Sequence, residues 1–149
     1  MTDKPNPWNF HNTDHRLFSP SKLHKLVYYN VSEIAMGAPL GGSCFLEDNA
    51  FSKIKIHDWC GGPPVWDDEG QRFAVPIWTR SLLKGTVQQI GIVDVAVMEL
   101  VIFAKTFRVM DLRSFDNNII SGLDSPIYRT ESIFFDIKQE KIENRISLI

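Results

Sequence analysis

Within four residues, His57-Asp58-Trp59-Cys60 sets an imidazole, a carboxylate and a thiol close together. These are the groups that ligate metals, exchange protons and attack electrophiles. The preceding Ser52-Lys53-Ile54-Lys55-Ile56-His57 alternates polar and apolar residues with period two, the pattern of a strand with one solvated face. Continued through Cys60, that strand puts His57 and Trp59 on one face and Asp58 and Cys60 on the other. His57 and Cys60 then diverge, and two ligands fall short of the four, or three plus water, that tetrahedral zinc takes. Two readings follow. His57, Asp58 and Cys60 could form a ligand or metal site beside Gly61-Gly62, or His57 is an ordinary hydrogen-bonding residue at a strand end. The second is favoured, and neither metal nor cofactor is expected.

Asp67-Asp68-Glu69, closed by Gly70, is a compact acidic cluster. It lacks the alternating oxygen ligands of a calcium loop, and Asp and Gly are ordinary turn residues, so a solvated hairpin turn is expected. In function, such a turn suits a basic protein partner. Trp59, Trp66, Trp78, Tyr28 and Tyr29 are candidate anchors, because Trp and Tyr dominate binding hot spots. Trp66 is expected in the core. Trp78, followed by Thr79-Arg80-Ser81, is expected at the surface, which gives Asp67, Asp68, Glu69 and Trp78 as the partner-binding set.

Other chemistry finds less support. His11 and His15 stand at i and i+4, but Asn9, Asn12, Thr13 and Asp14 make a loop of that stretch. With His24 they offer an adventitious metal site and no more. Ser43-Cys44 follows Gly41-Gly42 without the helix that a nucleophile elbow needs. Cys60 has no signature fixing a base and an oxyanion hole. Gly41-Gly42 and Gly61-Gly62 lack the Lys-Ser/Thr of a phosphate loop. No catalytic residue is assigned.

The elements that must position these groups are strands. Residues 1–21 form an irregular arm whose Trp8, Phe10 and Phe18 suggest packing on a single domain, residues 22–149. Ser19 and Pro20 can start a short helix over 19–25. Strands are then expected over 26–31, 33–36, 72–78, 86–95, 100–112 and 127–137, with Pro76 marking an edge or a bulge and a hairpin turning at 96–99. Asp48, Asp94 and Asp136 each close a short apolar run and are followed six residues later by Ile54, Leu100 and Ile142. That spacing suggests repeated hairpin units. The fold class is all-β: an antiparallel meander of three blade-like hairpin units, or a twisted β-sandwich.

Pro63-Pro64-Val65-Trp66-Asp67-Asp68-Glu69-Gly70-Gln71-Arg72-Phe73-Ala74-Val75 resembles the blade motif of WD40-like, TolB-type β-propellers. The resemblance covers residues 63–103. It implies a core Trp66, a turn at Asp68-Glu69-Gly70, a third strand over 87–94 and a fourth over 99–103. Asp67-Asp68-Glu69 stands where that family has Ser-Pro-Asp, and a closed propeller of four or more blades exceeds this chain's length.

A length of 149 residues with 44% hydrophobic and 23% charged residues is that of one globular domain. A formal charge of −2 argues against generic nucleic-acid binding. No apolar run reaches membrane-spanning length, and the N-terminus has no apolar signal core, so a cytoplasmic protein without membrane partners is expected. Cys44 and Cys60 are expected as small buried thiols. The functional expectation is a non-enzymatic protein-binding module, such as an immunity protein that occludes the basic active site of a bacterial toxin. The alternatives are a small β-barrel or sandwich enzyme or ligand binder using residues 57–60, and a self-associating module, such as a homodimer paired through Ile146-Ser147-Leu148-Ile149.

Overall fold

The computed structural model describes residues 4–149. Its strands are β1 (His24–Glu33), β2 (Leu40–Asp48), β3 (Lys53–Cys60), β4 (Val65–Trp66), β5 (Arg72–Ser81), β6 (Gly85–Asp94), β7 (Glu99–Phe107), β8 (Met110–Asp116), β9 (Ile119–Asp124), β10 (Glu131–Asp136) and β11 (Ile142–Ser147). Two antiparallel sheets result. The larger runs β1-β2-β3-β5-β6-β7-β11, with β4 also paired to β5, and the smaller runs β10-β9-β8. Neither closes into a barrel. The chain is an all-β sandwich.

Residue alternation explains the layering. In β5, Phe73, Val75 and Ile77 join one apolar cluster with Leu26, Tyr28, Cys44 and Leu46, while Ala74 faces a second. The second lies between the sheets: Ile90, Ile92, Phe103 and Phe107 from the larger meet Met110, Leu112, Phe115, Ile120, Ile133 and Phe135 from the smaller. Strands β5 and β6 are therefore buried on both faces, and their sequences are nearly continuous apolar runs. Each such large side chain taken fully from water contributes about 1.5–3 kcal/mol.

Several sequence expectations change here. The 100–112 run is not one strand: it breaks after Phe107, where Asp124 Oδ1 accepts the N–H groups of Arg108 and Val109, and β8 then enters the other sheet. Residues 34–39 are a hairpin tip, not strand. No helix forms at 19–25. Lys22 takes φ +62°, which a right-handed helix cannot accept, and the Ser19 hydroxyl accepts the His24 N–H at 3.2 Å, so it caps a turn. Pro76 is interior to the sheet, between β6 and the break separating β3 from β4. Its carbonyl accepts the Gly61 N–H at 2.9 Å, so its missing N–H faces that break and no ladder bond is lost.

The threefold echo has a local cause. Asp48, Asp94 and Asp136 close β2, β6 and β10, and each Oδ1 accepts the N–H two residues ahead, on Ala50, Ala96 and Lys138, at 2.9 Å. These are Asx turns. The first two lead into hairpins, but β10 and β11 belong to different sheets, so the third unit is not a hairpin.

The arm is tied to the larger sheet. Phe10 and Leu17 are buried in the first cluster, with Leu17 in a single 3-10 turn (His15–Leu17). The Asn12 amide clasps the edge of β1, accepting the Tyr28 N–H at 2.8 Å and donating to the Tyr28 carbonyl at 3.0 Å.

Candidate functional site

Three turns meet at one end of the sandwich. Arg72 at the start of β5 pairs with Asp94 at the end of β6, so the β4–β5 and β6–β7 turns lie together. The β8–β9 turn, Asn117-Asn118, joins them through Arg72, whose guanidinium donates to Asn117 O at 2.5 Å and Asn118 Oδ1 at 3.2 Å and lies 4.8 Å from the Phe115 ring. Between these turns is a polar cleft of about 430 Å³ lined by Asp67, Asp68, Glu69, Asp94 and Asp116 among others. Five acidic residues and one arginine line it, and Arg72 pairs with Asp67.

The two neighbouring aspartates of the β4–β5 turn do different work. Asp67 is buried: Oδ1 accepts the Gln71 and Arg72 N–H groups at 3.0 and 3.2 Å, and Oδ2 accepts Arg72 Nε at 3.3 Å. The Gly70 N–H closes the turn onto the Asp67 carbonyl at 3.1 Å, with Gly70 at φ +70°. The expectation of a wholly solvated turn is thus corrected at Asp67, which organises the loop, while Asp68 and Glu69 are exposed. The cleft continues past Arg72 and Asp94 into a smaller, more apolar groove of about 290 Å³ that includes Val97, Val101 and Ile137.

Trp78 is not at the surface. It is 2% exposed, with Nε1 donating to the Leu40 carbonyl at 3.1 Å and its ring 6.1 Å from that of Trp59. Thr79-Arg80-Ser81 continues β5 instead of leaving it, and that continuation is why the surface expectation fails. Trp66 is in the core, its Nε1 donating to Leu17 O at 3.3 Å.

The 57–60 segment is also rearranged. Cys44 pairs with His57, while Gly42 pairs with Cys60 and Phe45 with Lys55, so β3 carries extra residues on both sides of His57. These bulges break the period-two alternation and bring His57 and Cys60 together; Cys60 Sγ lies 3.8 Å from the His57 carbonyl. Cys44 and Tyr28 complete a buried group, and the Tyr28 hydroxyl donates to Gly61 O at 2.8 Å.

Burial pushes the Cys60 thiol up, but hydrogen bonding with Cys44 and His57, reinforced by the His57 charge, draws it down to about 7. Hydrogen bonding with Cys60 in turn raises the His57 imidazole, against the lowering effect of burial. Burial raises both Cys44 and Tyr28 well above their usual values. Cys60 is fully buried, however, so a substrate has no path to it in this conformation. Asp58 faces solvent and pairs with Lys55. Among the described residues, no group of three or more His, Cys, Asp or Glu side chains is placed to hold a metal ion.

The turn at 67–70 was visible in the sequence, but its partners Asp94, Asp116, Asn117 and Asn118 were not joined to it. Asp94 showed as a strand end and Asn117-Asn118 as a turn. Only the pairing of strands brings them to one place. No helix among the described residues is long and apolar enough to cross a membrane. Protein-family models, curated proteins and solved structures provide no match to the chain.

Proposed function

We propose that this chain is a non-enzymatic protein-binding module that uses the acidic cleft to occlude a basic surface, as an immunity protein occludes the catalytic cleft of a toxin. The observation that carries this reading is that Asp68, Glu69, Asp94 and Asp116 line one cleft at one end of the sandwich. A formal charge of −2 spread evenly would steer nothing; carboxylates gathered into one concavity focus the field and speed encounter with a basic partner. The adjoining groove with Val97 and Ile137 supplies apolar area beside the charges, the composition expected of a protein interface rather than a metal site. Asp67 acts indirectly, by holding the turn that presents Asp68 and Glu69.

The test is a tagged pull-down from the native source. The captured protein is identified by mass spectrometry, and its affinity is measured at low and high salt. A stoichiometric basic protein whose binding weakens with salt and is lost in Asp68→Lys/Glu69→Lys supports the reading. A partner indifferent to both changes removes it.

A further inference from the structure

A second cavity, of about 570 Å³, lies where the arm passes over β4 and β8. It shares no residue with the acidic cleft. Its apolar wall includes Phe18, Val65 and Trp66, and its cationic groups include Arg16, Lys22 and Arg113, with no carboxylate among the described residues that line it. The volume is that of a small-molecule site.

The sequence gives each group its place. Arg113 is the extra residue of the bulge in β8, since Leu112 pairs with Gly122 and Ser114 with Ser121, and its side chain is 59% exposed. Lys22 is projected by the left-handed turn at φ +62°. Trp66 is held by its bond to Leu17 O and by its ring contact with Phe73, centroids 4.7 Å apart.

Arg16 is occupied by the Pro5 and Leu112 carbonyls and lies 3.7 Å from Asp111. Arg113 gives one N–H to Asp111 Oδ2 at 3.1 Å. Among the described residues, one carboxylate therefore faces two guanidiniums, and the remaining Arg113 donors and the Lys22 ammonium have no partner, which leaves them for an anion.

We propose that this cavity binds a small aromatic carboxylate, its ring against Trp66 and Phe18 and its carboxylate on Arg113 and Lys22. A guanidinium fork matches a carboxylate in two hydrogen bonds, and flat rings pack against aromatic walls. The lining cations favour an anion over neutral and cationic analogues of the same shape.

The experiment uses the full ¹⁵N-labelled chain titrated with 1-naphthaleneacetate, with the neutral 1-naphthaleneacetamide as comparison. Expected are saturable shifts of the Trp66 indole N–H and of residues 13–22, with the amide binding at least about tenfold more weakly, as for loss of a charge-assisted bond. Arg113→Gln and Lys22→Asn should each weaken the acid by about tenfold while leaving the spectrum folded; Asn is chosen because it accepts the left-handed backbone. Asp68→Lys/Glu69→Lys should leave this affinity unchanged, which separates the site from the acidic cleft. The proposal is overturned if no saturable shift appears, if acid and amide bind equally, or if both cavity variants bind like the parent.

Discussion

Replacing Asp67 by Ala removes the acceptor of two backbone N–H groups and of Arg72 Nε in a buried setting. The expected cost is about 2–3 kcal/mol, several degrees in Tm. Asp68→Ala should stay within about 0.5 kcal/mol, since Asp68 is exposed. Thermal unfolding of the two variants side by side checks this, and equal losses would refute the division of labour. Cys60 offers a second residue-level test. Its folded value of about 7 lies below the ordinary 9.0 of a thiol. Its contribution to stability is therefore fully present above about 9 and is lost as pH falls through about 7. The raised His57 imidazole acts in the opposite sense: its contribution is full below 6.5 and is lost as pH climbs through its folded value. Thiolate absorbance followed against pH should show a midpoint near 7, and His57→Ala should move it upward. A midpoint unchanged by that substitution would separate the two groups.

At the scale of elements, the β8–β9 pair depends on Gly122. A Cβ there would collide with the Asp111 carbonyl oxygen and stand 3.0 Å from Leu112 Cα, both backbone atoms. Gly122→Ala should therefore cost about 1–3 kcal/mol and loosen β8 first, seen as a lowered Tm and faster amide exchange in 110–124. Normal exchange in that region would show that the bulge at Arg113 absorbs the methyl group.

The same strands show how far sequence reasoning reaches. The all-β class, the 96–99 hairpin and the core position of Trp66 were legible because alternation and turn residues are local signals. The partition into two sheets was not, because the apolar run through Phe107 and Met110 hides a change of sheet that only Asp124, fifteen or sixteen residues away, makes visible. Bulges are equally hidden: nothing local marks β3 as carrying extra residues, so plain alternation puts His57 and Cys60 on opposite faces. Trp78 failed for a related reason, since polar Thr79-Arg80-Ser81 looks like a loop but is the end of a ten-residue strand.

For the whole molecule, two sites of opposite charge stand apart: acidic residues line the cleft where the 67–70, 95–98 and 117–118 turns meet, and Arg16, Lys22 and Arg113 line the cavity beneath the arm. Association of the proposed basic partner should accordingly slow by about tenfold or more as ionic strength rises from low to physiological, where the screening length falls to about 8 Å. Stopped-flow rates at several salt concentrations measure this, and a flat profile would argue against steering. Arg72 joins a turn of one sheet to a turn of the other, so the mouth of the cleft straddles the seam of the sandwich. A partner gripping both lips would act as a clamp on that seam. At a hundredfold excess over its dissociation constant it would add about 2.7 kcal/mol to the resistance of the two layers to parting. The strands of the small sheet, touched only at the turn on its rim, would then be sealed against exchange along their whole length.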